Sequence, residues 1–325
     1  MTLRLLLFLL LALLTGCDAP SGRLELHFID VGQGDSVLIR SPSGQNVLID
    51  GGRSDDDALE YLRSVGVTSL ELVVATHADA DHIGGLAEVV RAYHPEFFMD
   101  NGVPHDTATY RGLLEAVRDA GSQLVAATER RIGLGDAALQ VLPPPGDGSL
   151  DSNNNSVGVV VSYGDFDAAL TGDAEQAEFA WWAENVPGPL RPVEVYKAAH
   201  HGSPNGDSPE SVAAFSPETV VVSVGADNDY GHPSAEALAL YEGAGATVYR
   251  TDQSGTVVVT ASSDGDYHVD TTPRDAASAS LPTDDRDCGD FSSQRQAQAF
   301  FDDAGRGDPH RLDGDGDGVV CTSLP

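Results

Sequence analysis

Over most of the chain, hydrophobic positions follow the period of a strand or of a helix, and short polar turns separate the two patterns. Residues 24–30 alternate apolar and polar side chains, as a half-buried strand does. Residues 35–40 and 46–50 flank the turn Ser-Pro-Ser-Gly-Gln, which predicts a hairpin. A helix is predicted between Ser54 and Gly66, and strand and helix patterns then alternate to about residue 125.

A second half with the same kind of pattern begins near Val157. Helices are predicted from Ala174 and after Ser234. Strands are predicted at residues 157–163, 168–170, 193–199 and 219–224, and then to about residue 269. Hairpins and β-α alternation in two similar halves predict an α/β fold with two sheets sandwiched between helices, covering residues 24–270. Residues 271–286, rich in Ala, Ser, Pro, Thr and Asp, are predicted to be a linker.

The size and charge of the chain restrict its class. The 325 residues are 41% hydrophobic, which is enough for one large domain and one small one. The formal net charge is −33, which argues against a nonspecific nucleic-acid surface, because phosphate binding needs basic patches. This charge does not exclude a nuclease whose bound metal ions supply the local positive charge.

The first residues resemble an export signal. Met1–Arg4 precedes the apolar run Leu5–Leu14, which is too short for a stable membrane span. The following Thr-Gly-Cys resembles the end of a bacterial lipobox, which implies that residues 1–17 direct lipidation of Cys17. We expect an exported protein, lipid-anchored on the outer face of the bacterial cytoplasmic membrane or at the cell surface. The alternative is a plain secretory signal.

A cluster of candidate metal ligands occupies a predicted strand-to-helix turn. The four ligands fall within six positions: His77, Asp79, Asp81 and His82. Residues 70–76 before them are strand-like and residues 85–93 after them are helix-like. Such turns are where α/β proteins usually build their chemistry. The alternative is a chance group of solvated side chains. Further ligand-type residues in the later half of the chain argue against this alternative.

Three further strand ends in the later half carry ligand-type residues. These are Asp173, the pair His200 and His201, and His232. Side chains that converge from four segments can hold two adjacent divalent ions. A mixed set of His and Asp ligands permits Zn²⁺ and also makes Mn²⁺ a candidate.

Together these segments resemble the metallo-β-lactamase fold superfamily and, more narrowly, the soluble nuclease-like domain of the ComEC competence proteins and their exported relatives. The motifs that carry the resemblance are Phe28–Ser36, Leu48–Gly52, Thr76–Gly85, Asn153–Ser156, Leu170–Asp173, His200–Ser203 and Gly231–Pro233. The resemblance implies a four-layer αββα sandwich. It also implies that Asp50 orients the ligand turn without being a ligand itself. Asp79 stands where many superfamily members carry histidine, which argues against the commoner lactonases and thioester hydrolases.

We expect two ligand groups around the two ions. One group contains His77, Asp79 and a histidine of the pair, His201 rather than His200, which would then support the site without binding metal. The other group contains Asp81, His82 and His232, and Asp173 bridges the two ions. Three carboxylates and two divalent ions leave a net charge of +1, which suits an anionic phosphodiester. Asp81 and Asp173 are therefore candidate catalytic residues as well as ligands.

Lys197 is the only lysine in the chain, since every other basic residue among the 18 is arginine. Its ammonium could contact a substrate phosphate oxygen or protonate a leaving group. The alternative is a solvated strand end. Asn153–Asn155 could contact substrate, although a turn is the simpler interpretation.

The segment 287–325 is predicted to be a separate module. Cys288 and Cys321 form a disulfide in the simplest interpretation for an exported chain. Asp313, Asp315 and Asp317 alternate with glycine, as at the start of a calcium loop. The segment resembles the Excalibur extracellular calcium-binding domain. Thr322 stands where those domains usually carry an acidic residue, and the alternative is a solvated acidic loop.

Two classes of function follow from these observations. The first is a metal-dependent hydrolase acting on a phosphodiester, either a nuclease acting on DNA or a phosphocholine-type esterase acting on cell-wall polymers. The second is a surface-anchored binding protein that retains the fold without turnover. The complete ligand set favours the enzyme. No stable protein partner can be inferred from the sequence.

Overall fold

The computed structural model describes residues 22–53, 56–146, 150–226, 228–272 and 293–298. The chain divides into two compact units, Met1–Pro273 and Arg274–Pro325. Several predicted features lie outside the described residues: the export signal with Cys17, most of the linker, Cys288, Cys321, and the acidic residues Asp313, Asp315 and Asp317. Within the described part of the chain, no helix is both long and apolar enough to cross a membrane.

The first unit contains two sheets. The first sheet has the strand order β15-β14-β1-β2-β3-β4-β5-β6. Its strands are β1 (Leu24–Phe28), β2 (Val37–Arg40), β3 (Asn46–Ile49), β4 (Leu72–Val74), β5 (Phe97–Met99), β6 (Gln123–Leu124), β14 (Thr256–Ala261) and β15 (Tyr267–Thr272). The β2–β3 pair is the hairpin that the sequence predicts, with Val37 opposite Ile49.

The second sheet has the order β13-β12-β11-β10-β9-β8-β7. Its strands are β7 (Arg130–Leu134), β8 (Ala137–Leu142), β9 (Gly158–Tyr163), β10 (Phe166–Leu170), β11 (Val195–Lys197), β12 (Thr219–Val222) and β13 (Thr247–Arg250). The second sheet therefore begins earlier than the predicted start near Val157. The two sheets are also not consecutive in the chain, because β14 returns to the first sheet and pairs with β1.

Eight α-helices are found among the described residues of the first unit. They are α1 (Asp57–Ser64), α2 (Ala80–Ile83), α3 (Leu86–Tyr93), α4 (Ala108–Ala120), α5 (Gln176–Asn185), α6 (Pro209–Phe215), α7 (Ala235–Gly243) and α8 (Thr251–Ser254). The helix predicted between Ser54 and Gly66 thus corresponds to α1, and the helix predicted after Ser234 corresponds to α7. The Ser234 hydroxyl accepts a hydrogen bond from the Ala237 N–H and so caps α7.

Three apolar clusters stack these elements into layers. The central cluster fills the space between the two sheets, with Phe28 and Phe166 fully buried in it. A second cluster packs α1, α3 and α4 on the outer face of the first sheet. A third packs α5, α6 and α7 on the outer face of the second sheet. This arrangement is the four-layer αββα sandwich that the resemblance implies.

Candidate metal centre

The predicted ligands lie in loops that follow the carboxyl ends of strands from both sheets. The turn from His77 to His82 follows β4 of the first sheet and runs into α2. Asp173 follows β10 of the second sheet, and His201 lies in a short 3-10 helix, Ala199–Gly202, after β11. His201 has a φ of 54°, a left-handed conformation that reverses the chain directly after the strand. His232 lies between β12 and α7.

The Asp173 carboxylate is the centre of this arrangement. Its Oδ2 lies 3.1 Å from Nε2 of His82 and 3.3 Å from Nε2 of His201. His201 Nε2 is also 3.4 Å from Oδ2 of Asp81. His77 has a ligand atom within 4.8 Å of ligand atoms of both His82 and Asp173. Side chains from three segments therefore converge on one small volume.

The grouping of these ligands differs from the expected one at His201. The structure places His201 with Asp81 and His82, whose ligand atoms all lie within 4.8 Å of one another. The sequence placed it instead with His77 and Asp79. No such group among the described residues contains Asp79 or His232. Asp79 still contacts the cluster through its Oδ2, which lies 3.5 Å from Nε2 of His77.

His200 and His232 lie beside the cluster. Nε2 of His200 is 3.7 Å from Oδ2 of Asp173, and its Nδ1 is 3.0 Å from Oε1 of Glu175. The His200 ring lies 5.5 Å from the ring of His232. Both side chains therefore border the centre formed by His201 and Asp173.

Buried polar atoms without hydrogen-bond partners show that these residues fit metal ions. Among the described residues, Nε2 of His77, His82 and His201 and Oδ1 of Asp173 are buried and form no hydrogen bond. An unsatisfied buried polar atom is costly, and native proteins rarely keep several together. Divalent cations would satisfy all of these atoms at once.

The opposite nitrogens of two imidazoles are held by the protein. Nδ1 of His82 lies 2.8 Å from Oδ2 of Asp50, and Nδ1 of His201 lies 2.9 Å from the carbonyl oxygen of Ser223. An Nδ1–H that donates to these oxygens leaves the Nε2 lone pair free for a metal. Asp50 is itself fixed, because the N–H and the hydroxyl of Thr76 both donate to its carboxylate.

Asp35 is a member of the cluster that sequence reasoning did not select. Its carboxylate is buried, with Oδ2 2.5 Å from Nζ of Lys197 and Oδ1 3.3 Å from Nδ1 of His201. Asp35 lies in the motif Phe28–Ser36. Its position directly after the sequence Gly-Gln-Gly is the one feature of the sequence that could have indicated a site residue. The side chains that Asp35 contacts, Lys197 and His201, are more than 160 positions away in the chain, and a local sequence pattern does not reveal such contacts.

Lys197 lies inside the cluster. It is only 1% exposed, and its ammonium donates to the carbonyl oxygen of Gly172 at 2.9 Å as well as pairing with Asp35. Nζ lies 3.8 Å from Oδ1 of Asp173. Its burial excludes the solvated strand end, and a contact of Lys197 with the substrate stays a prediction.

The family of the chain follows from comparison with known proteins. Residues 29–312 match the family model described as the metallo-beta-lactamase superfamily. The chain belongs to this superfamily. ComE operon protein 3 of Bacillus subtilis (strain 168) is 31% identical over 263 residues, which cover 72% of this chain and 32% of that protein. Recombination protein 2 of Haemophilus influenzae is 27% identical over 242 residues, with 72% and 28% covered.

The chain thus spans about a third of the length of these curated relatives. Among solved structures, the metallo-beta-lactamase fold protein YhfI from Bacillus subtilis is similar, with a TM-score of 0.49 and 12% sequence identity. That match covers 76% of this chain and 100% of the other.

In this centre, buried charges of opposite sign shift one another's pKa values and outweigh the effect of burial. Burial alone would raise the pKa of Asp173, but the charges of His201 and His82 hold it well below its usual value. Burial alone would lower the pKa of His82, but Asp173 and Asp50 raise it well above its usual value. Burial opposes the charged form of Lys197 as well, and Asp35 and Asp173 outweigh it and raise its pKa.

The formal charge of the cluster matches two divalent ions. The buried or half-buried carboxylates are those of Asp35, Asp50, Asp79, Asp81 and Asp173. With Lys197 and neutral histidines, five negative charges and one positive charge leave −4, which two divalent cations cancel. The net charge of +1 expected from the sequence did not include the carboxylates of Asp35 and Asp50. Lys197 neutralises the charge of Asp35, and the carboxylate of Asp50 contacts Nδ1 of His82, on the side of the ring away from Asp173.

The centre opens to solvent on one side. The side chains of Asp79 and Asp81 are 39% and 22% exposed, whereas those of His77, His82, His201 and Asp173 are at most 4% exposed. Ser152 donates a 2.8 Å hydrogen bond to Oδ1 of Asp79 and fixes it at this opening. Solvent therefore reaches the centre beside Asp79 and Asp81.

The Asn153–Ser156 segment supports the centre from behind. The Ser156 hydroxyl accepts a hydrogen bond from the Asp173 N–H at 3.2 Å, and the Ser156 N–H donates to Oε2 of Glu178. Asn154 and Asn155 are buried and bonded within the segment and to its neighbours. Among the three asparagines, Asn153 is the one that lies beside a site histidine, with its Nδ2 3.4 Å from Nε2 of His200. The segment forms a short 3-10 helix, close to the turn predicted for it.

Proposed function

We propose that this protein is a metal-dependent phosphodiesterase, and more specifically a nuclease. The observation that carries the proposal is the cluster of buried imidazole Nε2 atoms and a carboxylate oxygen without hydrogen-bond partners, which is open to solvent beside two aspartates. Support for the nuclease form comes from the similarity to ComE operon protein 3 and Recombination protein 2. Membership of the metallo-beta-lactamase superfamily supports hydrolysis in general.

The residues of this chain would share the work as follows. His77, His82, His201, Asp79, Asp81 and Asp173 would hold two divalent ions, Zn²⁺ or Mn²⁺. Bound ions of this kind supply an activated hydroxide and stabilise negative charge on a phosphoryl group. Asp50 and the Ser223 carbonyl hold two imidazoles in the tautomer that binds metal. Asp35 and Lys197 keep the interior of the cluster charge-balanced.

The test is a hydrolysis assay of demetallated protein reconstituted with Mn²⁺ or Zn²⁺. The substrates are single-stranded DNA, duplex DNA, RNA, bis-(p-nitrophenyl) phosphate, p-nitrophenyl phosphorylcholine and a simple lactone. We expect hydrolysis of the phosphodiesters that depends on added metal. His82→Ala should abolish it, because this variant removes a ligand and the partner of Asp50.

His268→Ala is the matched control, since His268 lies on β15 and its side chain is 51% exposed. This variant should keep wild-type rates. Efficient hydrolysis of the lactone with no cleavage of any phosphodiester would show that the reaction class is wrong. Turnover only of the phosphorylcholine ester would replace the nuclease with a phosphocholine-type esterase.

The lipid anchor and the carboxy-terminal segment are separate parts of the proposal, and both are supported by the amino-acid sequence. Cys17 would carry a lipid and anchor the exported protein to the membrane. The segment 287–325 would be a calcium-binding module closed by a Cys288–Cys321 disulfide, with Asp313, Asp315 and Asp317 as ligands.

Calcium titration of the full-length protein with and without reductant, followed by isothermal calorimetry, tests this module. Calcium binding that survives Asp315→Ala and Asp317→Ala would contradict it.

A further inference from the structure

A recess of about 270 Å³ adjoins the open side of the metal centre. Its wall includes the metal-ligand candidates Asp79 and Asp81 with their alanine neighbours, and three other segments also contribute to it. The polar and aromatic side chains that these segments contribute include Arg53, His105, Thr107 and Tyr230. The volume is near the lower end of ligand pockets, which run from ~300 to 1,000 Å³. It can therefore hold one residue of a polymer.

Arg53 supplies a positive charge at the rim of this recess. It is exposed and forms no ion pair with the described residues, although the chain as a whole is strongly acidic. Its backbone is fixed against the ligand turn, since a Cβ on Gly84 would meet the Arg53 carbonyl oxygen at 2.3 Å. The Gly85 N–H also donates to the carbonyl oxygen of Gly52. The ligand turn thus holds Arg53 at the opening.

The amino-terminal end of α4 forms another part of the wall through Thr107 and Thr109. The Thr107 hydroxyl caps this 13-residue helix by accepting from the Tyr110 N–H. The beginning of a helix carries a partial positive charge that favours anions. Arg53 and the start of α4 therefore both favour a negatively charged group here.

Tyr230 offers an exposed aromatic ring beside these anion-favouring groups. It is 60% exposed, and one face stacks on the ring of His232 at 5.8 Å and 26°. The backbone near it is held by Asn228, whose Nδ2 donates to the carbonyl oxygens of Gly225 and His232 and whose Oδ1 accepts from the His232 N–H. An exposed ring on a fixed loop is a stacking platform for a nucleobase.

We propose that the recess binds one nucleotide of a single-stranded nucleic acid, with its base on Tyr230 and its phosphate near Arg53. The inference rests on the proposed function, because it specifies the substrate of that same centre. A single strand is favoured because the bases of a duplex are already stacked and paired. A quaternary ammonium such as choline is disfavoured, since Arg53 repels it and Tyr230 alone does not form an aromatic cage.

The experiment measures binding rather than turnover. Fluorescence anisotropy with the metal-loaded protein compares a labelled thymidine oligonucleotide with phosphorothioate linkages, an abasic oligomer of the same length, and a duplex. Tyr230→Ala should weaken binding of the thymidine oligomer about 5- to 150-fold, the range of one lost base stack. Tyr230→Phe should restore it, and the abasic oligomer should not respond to either change.

Arg53→Gln should weaken both single-stranded oligomers, whereas Arg91→Gln, which changes an exposed arginine on α3, should weaken neither. Wild-type affinity of Tyr230→Ala for the thymidine oligomer would overturn the proposal. So would a Tyr230→Ala effect on phosphorylcholine binding alone, or an equal effect on the duplex. Metal content of each variant, measured by mass spectrometry, shows whether the centre remains loaded. The hydrolysis assay of the wild type decides the proposed function separately.

Discussion

At the residue scale, the interior of the metal centre depends on compensation between buried charges. Asp35 and Lys197 are 2% and 1% exposed, and their charged atoms lie 2.5 Å apart. Removing one partner of a buried pair leaves an unpaired charge, whereas removing both leaves none. The sequence indicates Lys197 because it is the only lysine, but it does not indicate the partner.

We predict that Asp35→Asn and Lys197→Met each destabilise the metal-free protein by about 3–5 kcal/mol, because each removes the nearest partner of a buried charge. The double variant should be destabilised by clearly less than the sum of the two. Urea unfolding of the four proteins in a double-mutant cycle measures this difference. Additive losses would show that the two side chains do not act as a pair. Arg40→Met, which removes an exposed partner of Glu25, serves as the control with a small effect.

Glu178 is a second buried acid, and it lies outside the ligand set. It is fully buried, its Oε2 accepts only from the Ser156 N–H, and burial raises its pKa well above the usual value. The unfolded state releases this proton near the ordinary pKa of about 4.3. Between that value and the raised pKa, folding takes up a proton, so the contribution to stability falls as pH rises.

We predict that Glu178→Gln removes this dependence. The wild type should lose up to about 1.4 kcal/mol of stability per pH unit relative to the variant as pH increases above 4.3. Denaturant unfolding at a series of pH values measures the difference between the two proteins. Parallel stability curves would contradict the raised pKa. Glu184→Gln, a change on the same helix α5 at an exposed position, should leave the pH profile unchanged.

At the element scale, the loop between β1 and β2 is shaped by its contact with the ligand turn. Gly34 has a φ of 128°, and a Cβ there would lie 2.0 Å from the carbonyl oxygen of Asp81. The Asp35 N–H donates to that same oxygen at 3.1 Å. Two loops from different parts of the chain therefore position each other, and glycine allows the close approach.

We predict that Gly34→Ala displaces Asp81 and weakens metal binding by about 10- to 100-fold, as loss of a supporting contact does at metal sites. Gly32→Ala is the matched control, since its φ is also positive, at 70°, but nothing lies within 4 Å of its Cβ. The control should cost about 1–2 kcal/mol of stability and leave metal affinity unchanged. Competition with a chromogenic chelator measures both affinities. Equal metal affinities in the two variants would show that the close approach is unimportant.

The elements themselves were predicted better than their ends. The strand predicted at residues 70–76 ends at Val74, because the Thr76 N–H leaves the sheet and donates to Asp50. The strand predicted at 193–199 ends at Lys197, where the chain enters the turn that carries His201. In both cases the apolar pattern continues past the strand, since the residues of the site are themselves buried.

At the scale of the whole molecule, the metal centre joins the two sheets. The turn from His77 to His82 follows the first sheet, whereas Asp173 and His201 follow strands of the second. Any ion bound by His82 and Asp173 would cross-link the two halves of the sandwich. Such an ion binds the native state selectively, so it should contribute to global stability by mass action.

We predict that removal of metal lowers the Tm of the protein on the order of 10 °C. A ligand at about 1,000 times its Kd stabilises the native state by about 4 kcal/mol, and each kcal/mol is worth about 2–4 °C in a domain of this size. Differential scanning calorimetry before and after dialysis against a chelator measures the change. Asp81→Asn should already unfold at the lower temperature and respond little to the chelator. An unchanged wild-type Tm would show that the ions do not connect the sheets.

The class of the fold, the order of most strands and helices, and the segments that carry the candidate metal ligands could all be predicted from the amino-acid sequence. Periodicity and turn residues are local properties, and the ligand motifs are short enough to be recognised without a structure. The sequence also indicated Lys197, whose partner it did not reveal.

Three relations became apparent from the folded chain alone: which candidate ligands share a group, that Asp35 pairs with Lys197, and that β14 and β15 complete the first sheet. Folding also brought Arg53, the start of α4 and Tyr230 to one recess. These relations join residues that are tens to hundreds of positions apart. They follow from how the two sheets pack and from where the loops at their carboxyl ends meet, and a local pattern of residues contains neither.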